Sequence, residues 1–493
     1  MTEHFPVLVI VVPLLLALIV PVAGKIKTIY SWIIVALTTF FCFVVSLCIV
    51  RQVMMVGKIS YWLGNWEPPW GIEYAIDYLN AFVLVIVSFL AFAVTIYSRK
   101  SVADEIQESK IPAFYGVYQL FVVGLMGMIV TGDLFNVYVF LEITSLTGYA
   151  LVAMGNPRKA PLAGFRYLVI GTIGATFVLL GIGYLYIATG SLNMADLGAR
   201  LPELYGSKLV LTAFTFFAIG FSIKIALFPM HSWLPDAYTF APSTVSALMS
   251  ATGTKVGAYA FIRVLFTVFG VDVFLNEWIN ISYFFIILAS AAIIVGSVIA
   301  IGQKNVKRML AYSSVSQIGY IMLGVALMNP TGLQGAFLHI FNHALMKCTL
   351  FLSVGCIAYK TGITHIADYK GLGAKKPWAM AAFTVGSLSM IGVPLTVGFV
   401  SKWYLALGSL ERGMWYLVPV ILLSSVLMLV YFWRVIDRIY FQEDERMERA
   451  EGSEAPPSMI VPTVVIAALC VVFGTLAFIP VEITEKAALL LLR

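Results

Sequence analysis

Charged side chains are scarce in this chain of 493 residues: Asp, Glu, Lys and Arg make up 11% of it, against about a quarter of an ordinary soluble domain. Hydrophobic residues make up 61%. A water-soluble fold cannot cover that much apolar surface, which excludes the classes of soluble globular enzyme and nucleic-acid-binding domain. The composition instead predicts an integral membrane protein.

Cysteine is also rare, and its spacing excludes several kinds of site. The chain contains no CxxC pair, and its cysteines all lie in apolar runs, at Cys42, Cys48, Cys348, Cys356 and Cys470. A disulfide framework, a zinc site and an iron–sulfur cluster are therefore not expected. We expect no cofactor, and we assign no metal ligands.

Long apolar runs define the architecture. A run of about 20 residues is long enough to cross the hydrocarbon core as a helix. The N-terminal run lacks a preceding basic segment and is predicted to be a retained span rather than a signal peptide. The chain is predicted to be an all-α membrane protein of about fourteen helices, at 5–23, 29–50, 78–98, 112–131, 134–154, 162–189, 209–240, 241–270, 278–302, 309–329, 331–359, 378–407, 414–433 and 459–480.

Two of these runs are too long for one helix and contain breaking residues. The run 209–240 contains Pro229, and the run 378–407 contains Gly392 and Pro394. Proline removes a backbone donor and clashes with the preceding turn, so both helices are predicted to be broken. Five spans separate the two breaks, and this odd offset predicts two inverted repeats of five helices, spans 4–8 and 9–13. The predicted domains are 1–111, with an external loop, 112–270, 271–440, and a cytoplasmic loop with the last helix at 441–493.

Basic residues indicate the orientation. If the N-terminus lies outside, the inside connections carry seventeen Lys and Arg residues and the outside segments carry seven. Inside loops are the more basic ones in membrane proteins. Both termini are therefore predicted to lie outside, in a multi-pass protein of the plasma membrane.

A small set of ionisable residues lies inside the predicted spans, where each costs several kcal/mol unless it is paired or hydrated. Arg166, Arg263 and Arg434 lie near helix ends and are expected to extend to the interface in a structural role. Glu142 lies in mid-span and needs a cationic partner. Lysine can load and release a proton where arginine cannot, and three lysines lie near the two breaks or in the following span: Lys224, Lys255 and Lys402.

Two of these positions allow more than one interpretation. Lys255 follows a segment rich in Ser and Thr, 243–254, which either orders a chain of water or permits close helix packing. His339, His343 and Lys347 recur at i, i+4 and i+8 and share one helix face. That face is typical of a proton relay. Interhelical hydrogen bonding is an alternative, and a metal site is disfavoured because the neighbouring lysine opposes a divalent cation.

Four motifs carry a resemblance to a known family. The segments are FLE at 140–142, KIALFPMHSWLPDA at 224–237, TKVG at 254–257 and HIFNHALMK at 339–347. They resemble the antiporter-like subunits shared by respiratory complex I and Mrp-type antiporters. The resemblance implies that Glu142, Lys224, Lys255 and Lys402 form a central hydrophilic axis. Lys402 and the loop YWLGNWEPPWGI at 61–72 further resemble the D-type subunits of Mrp-type multisubunit sodium/proton antiporters.

Three hypotheses about function remain at this point. The first is a proton-translocating subunit of a multisubunit sodium/proton antiporter, not an enzyme, with Glu142 and Lys224 as a switchable pair and with Lys255, His339, His343, Lys347 and Lys402 in the proton path. Its partners would be other antiporter subunits, the lipid bilayer, protons and sodium ions. The second is a proton-pumping subunit of a complex I-like oxidoreductase or a membrane-bound hydrogenase. The third is a structural membrane scaffold.

Overall fold

The computed structural model describes residues 2–155, 158–273, 279–442 and 454–492. The described chain is nearly all helical, with one antiparallel hairpin of two strands, β1 (Ile59–Trp62) and β2 (Glu73–Ile76). The helices of the first half are α1 (Phe5–Ile26), α2 (Thr28–Val56), α3 (Tyr78–Glu105), α4 (Ile111–Val130), α5 (Leu134–Ala153), α6 (Ala160–Thr189), α7 (Met194–Arg200), α8 (Lys208–Lys224), α9 (Leu234–Phe240), α10 (Ser243–Leu248) and α11 (Thr254–Arg263).

The second half of the chain continues in the same way. Its helices are α12 (Ile279–Ile301), α13 (Val306–Ala326), α14 (Pro330–Ala358), α15 (Leu372–Lys375), α16 (Pro377–Ile391), α17 (Val397–Glu411), α18 (Leu417–Phe441), α19 (Pro457–Thr475) and α20 (Phe478–Leu491). Eleven helices of the described chain are long and apolar enough to cross a membrane. Three interrupted crossings, α8–α9, α10–α11 and α16–α17, bring the total to the predicted fourteen. The all-helical membrane class is confirmed.

Both predicted breaks are present. In the first, α8 ends at Lys224, Ala226 has a φ of 56°, and the chain resumes as α9 at Leu234. In the second, α16 ends at Ile391, Gly392 has a φ of 90°, and α17 begins at Val397. Glycine adopts this left-handed conformation without a Cβ clash, so it suits the C-terminal end of a half-helix. The inverted-repeat relation and the domain boundaries drawn from these breaks stay predictions.

The eighth span contains two irregularities that the apolar pattern did not reveal. Segments of π-helix run over Met249–Gly253 and Val264–Val268, on either side of α11. A π-turn inserts one extra residue into a helix and weakens its regular hydrogen bonding, and it often marks a functional site.

Helix α14 is the centre of the second half. Every residue from position 332 to 357 is buried, and the helix packs against α3, α10, α13, α16, α17 and α19. Because neighbouring helices surround it, its polar residues do not face lipid. This enclosure lets a membrane helix carry histidine and lysine in its middle.

Local signals explain several helix starts. The side chains of Asp77, Asp133, Asn305 and Asn329 accept hydrogen bonds from the first backbone amides of α3, α5, α13 and α14. Those amides have no partner inside the helix, and Asp and Asn are the residue types that serve them best.

The chain ends differ from the predicted pattern. The last predicted span, 459–480, stops at Thr475, and a separate helix, α20, follows and packs against α3 and α14. The predicted span ran only three residues into α20, and no helix was predicted over the rest of that segment. Most of the predicted cytoplasmic loop 441–458, including Arg446 and Arg449, lies outside the described residues, as does Arg493.

Candidate functional site

The first break positions Lys224 against α5. Lys224 is the last residue of α8, and its amine lies 2.7 Å from the Ser145 hydroxyl and 3.5 Å from the Tyr149 hydroxyl. Ser145 follows Glu142 by three residues, so both lie on the same face of α5. Lys224 is therefore close enough to Glu142 for an electrostatic interaction, although its amine donates its hydrogen bond to Ser145. Lys224 is thus placed as the expected cationic partner of Glu142, but the two side chains form no direct ion pair in the described chain.

A small cavity connects Lys224 with the next span. Its lining includes Lys224 and Ser145 on one side and Gly253, Thr254 and Gly257 on the other. In sequence, Lys255 lies between Thr254 and Gly257. Water in this space would link the end of α8 to the start of α11.

Lys255 is 1% exposed and has no carboxylate partner in the described chain. Its amine donates to the backbone carbonyl of Ser250, inside the first π-helical segment, and lies 3.5 Å from the Thr254 hydroxyl. The hydroxyls of Ser246, Ser250 and Thr252 donate to nearby backbone carbonyls, chiefly those of their own helix. That bonding is the arrangement expected of the packing alternative, whereas Thr254 reaches the cavity.

The polar face of α14 lies beside Lys255. The rings of His339 and His343 are stacked with centroids 5.9 Å apart, and His339 bonds to the Ser401 hydroxyl at 2.9 Å. Neither ring nitrogen of His343 has a hydrogen-bond partner in the described chain. The Lys347 amine donates to the Leu310 carbonyl at 2.6 Å. Buried polar atoms without partners are rare and call for a water or a functional reason.

The second break positions Lys402 differently. Its amine donates to the carbonyls of Met390 and Ile391, at 3.0 and 2.8 Å, and to the Ser425 hydroxyl at 3.0 Å. Those carbonyls are the last ones of α16, left without an intrahelical partner by the break. A cation at a helix C-terminus also faces the negative end of the helix dipole. Lys402 thus caps the half-helix.

The predicted residues therefore form one row across the middle of the molecule. Lys255 lies within Coulomb range of His343 and Lys347, and Lys402 lies within Coulomb range of His339. Among the described residues, no group of three or more His, Cys, Asp or Glu is placed to hold a metal ion. Hydroxyl groups that the sequence did not single out contact this row: Ser145, Ser313, Ser401 and Ser425.

The three arginines differ from one another. The exposed Arg166 pairs with Asp236 at 2.8 Å, and Arg434 donates to two carbonyls after α12 at 2.6 Å, as expected of structural residues near helix ends. Arg263 does not reach the interface: it is 6% exposed and pairs with Asp77. Hydropathy placed Arg263 near a helix end but could not show that a carboxylate 186 residues away in sequence would meet it.

A polar cavity opens at the membrane face opposite the hairpin. It is larger than the cavity beside Lys224 and is lined by the end of α3 and the starts of α10 and α13. Glu105 accepts hydrogen bonds from the Ser101 hydroxyl and the Ser243 amide, and Lys307 is 5% exposed. At the rim, the hydrogen bond and charge of Asp104 raise the pKa of Lys360. This cavity leads from solvent to the start of α10.

Comparison with known proteins gives a consistent family assignment. Residues 131–428 match the model described as NADH:quinone oxidoreductase/Mrp antiporter, TM. The chain is 42% identical over 486 residues to the N subunit of the NADH-quinone oxidoreductase of Desulforudis audaxviator, covering 96% of both chains. It is 29% identical over 472 residues to the D-type subunit of the Na(+)/H(+) antiporter of Bacillus subtilis, covering 96% of this chain and 94% of the other.

A solved structure supports the fold over the whole chain. The match is to a chain of the membrane-bound sulfane sulfur reductase, an archaeal respiratory membrane complex, with a TM-score of 0.91 and 30% identity. It covers 99% of this chain and 98% of the other. The resemblance predicted from the four motifs is confirmed.

Proposed function

Because the chain belongs to the NADH:quinone oxidoreductase/Mrp antiporter transmembrane family, we propose that it is the proton-translocating subunit of a multisubunit cation/proton antiporter that exchanges sodium ions for protons. It is a transporter subunit rather than an enzyme in its own right. The relatives are named as lettered subunits, and the solved neighbour belongs to a membrane complex. The chain would work beside other membrane subunits.

The observation that carries this proposal is the row of ionisable groups, which is half-buried at Glu142 and Lys224 and buried from Lys255 to Lys402. Glu142 and Lys224 form the switchable pair, and Lys255, His339, His343, Lys347 and Lys402 relay protons between the two breaks. Burying several cations without carboxylate partners is costly, and a purely structural scaffold has no use for them. A proton on Lys224 strengthens its attraction to Glu142 and its repulsion of Lys255, so loading one site alters its neighbours.

The membrane placement is part of the proposal. The excess of basic residues on the connections opposite the hairpin puts that face inside and both termini outside, in the plasma membrane. The large cavity at Glu105 and Lys307 then opens to the cytoplasm. The hairpin and α20 cover the outer face.

A second candidate has its own support. The relative at 42% identity is an oxidoreductase subunit, and the solved neighbour at 30% identity belongs to a respiratory complex. In that case the same row would move protons in response to electron transfer in other subunits.

The native complex distinguishes them. We expect the complex purified through this chain to exchange sodium for protons in proteoliposomes when no electron donor is supplied, and to contain neither flavin nor iron in stoichiometric amounts. The measurements are dye-reported proton flux with and without a sodium gradient, and flavin and iron analysis. Proton movement that requires an electron donor and acceptor, in a complex with both cofactors, would establish the second candidate.

The histidine relay gives a separate prediction. His343→Gln is expected to slow exchange by about tenfold, the effect of ~1.4 kcal/mol in a barrier, because glutamine keeps a polar side chain but cannot carry an added proton. His4→Gln, at an exposed position before α1, is the matched control. Normal exchange in His343→Gln, at equal amounts of assembled complex, would assign His343 to interhelical hydrogen bonding instead.

A further inference from the structure

A buried ion pair lies between the midplane row and the hairpin side of the molecule. The guanidinium of Arg263, at the end of α11, contacts the Asp77 carboxylate and the Asn80 amide oxygen. Its Nε donates to the Tyr259 hydroxyl at 3.1 Å. The side chains of Arg263 and Asp77 are 8% and 13% exposed. Such pairs cost desolvation energy, so their presence needs a reason beyond stability.

The pair continues the polar face that begins at Lys255. Lys255, Tyr259 and Arg263 occupy positions i, i+4 and i+8 of α11 and lie above one another on one face. Side chains on a helix lean toward its N-terminus, so Arg263 reaches back along α11 to the Tyr259 hydroxyl. That hydroxyl also accepts from the Asn80 amide at 2.7 Å and donates to the Ile129 carbonyl at 2.8 Å.

A cavity meets this face from the hairpin side. It is small, and Asp77, Asn80 and Arg263 are among the residues that line it. Lys58, just before β1, and Glu73, the first residue of β2, also line the cavity. The Thr267 hydroxyl, which also lines it, is buried and has no hydrogen-bond partner in the described chain. A polar cavity with an unpartnered hydroxyl is a suitable place for water.

We propose that Asp77 and Arg263 form a gate between Lys255 and the hairpin side of the membrane, and that protons pass it through the Tyr259 hydroxyl and water in this cavity. With the pair closed, Arg263 donates a hydrogen bond to the Tyr259 hydroxyl and separates it from the cavity. Separation of the pair exposes that hydroxyl to cavity water. The π-helical segment Val264–Val268, directly after Arg263, gives the end of α11 the freedom to shift.

The gate rests on the proposed function, because it matters only if Lys255 carries protons. It places a route for protons to the hairpin side in the first half of the chain. This route is separate from Lys402, which lies in the second half. The competing explanation is that the pair only ties α3 to α11. In that case, breaking it would loosen the structure without opening a specific proton path.

The test uses a variant that removes the charge but keeps the fold. Asp77→Asn retains an N-cap residue for the Leu79 and Asn80 amides, because asparagine caps helices as well as aspartate does. In proteoliposomes of the assembled complex, we expect Asp77→Asn to raise passive proton leak severalfold in the absence of sodium. We expect Asp77→Asn combined with Tyr259→Phe to return the leak to the wild-type rate. Asp196→Asn, which breaks the partly exposed Asp196–Arg200 pair of α7, is the matched control.

Two results would overturn the gate. One is an unchanged leak in Asp77→Asn at a normal amount of assembled complex. The other is a leak that persists in the double variant, which would show a loosened structure rather than a path through Tyr259. Failure of the proposed function would be seen separately, as normal exchange in a Lys224 variant, and that readout does not depend on the leak.

Discussion

Replacing Lys224 by methionine is expected to abolish exchange while the complex still assembles. The amine of Lys224 lies within Coulomb range of Glu142 and donates to Ser145, and methionine keeps most of the side-chain volume. Without the charge, Glu142 loses its cationic partner and the pair cannot switch. We expect a loss of about 100-fold or more, which corresponds to ~2.7 kcal/mol in the barrier. The measurement is sodium-dependent proton flux in proteoliposomes.

Two companion variants sharpen this result. Lys224→Arg keeps the positive charge but cannot release a proton, so we expect it to assemble normally and to transport as poorly as Lys224→Met. Lys208→Met changes an exposed lysine at the other end of α8 and is expected to transport normally. Full activity in Lys224→Arg would show that the charge alone matters and would remove Lys224 from the proton path.

The second large effect is expected at Lys402, and it has two parts. The Lys402 amine donates to two carbonyls at the end of α16 and to Ser425. Hydrogen bonds from a charged donor contribute about 1.5–3 kcal/mol each. Lys402→Met should therefore lower the thermal stability of the purified complex and also abolish exchange. Stability is read from the unfolding midpoint, and exchange from the same flux assay.

Lys402→Arg separates the two parts. Arginine can donate to the same carbonyls, so we expect it to recover most of the stability but not the exchange. Ser425→Ala removes one of the partners and should change both properties only slightly. A Lys402→Arg variant that transports at the wild-type rate would reduce Lys402 to a helix cap.

Much of the architecture follows from the sequence because the bilayer limits what a chain can do. A span must be about 20 apolar residues long and must satisfy its own backbone hydrogen bonds, so hydropathy located the crossings. Pro229 and Gly392 indicated the two breaks, because each of these residue types disturbs a helix at its own position. The same reasoning located Glu142, Lys224, Lys255 and Lys402, since an ionisable residue inside an apolar run stands out in the sequence.

The contacts of those residues could not be predicted in this way. The partners of Lys224 and Lys347 are 79 and 34 to 37 residues away in sequence, and no local pattern relates them. The π-helical segments depend on how α10 and α11 pack against neighbouring helices. Most of α20 was not predicted, because hydropathy identifies membrane-spanning runs and α20 is a shorter helix that contains charged residues.

The sequence by itself therefore determined that the chain crosses a membrane, where the crossings break, and which ionisable residues lie inside. These properties depend on local composition, because each span meets the same apolar solvent, the core of the bilayer. Tertiary structure alone decided that Lys402 caps a broken helix, that Lys224 reaches Glu142's face through Ser145, and that Arg263 meets Asp77 instead of the interface. Those outcomes depend on which distant segments pack together, and that information is spread over the whole chain.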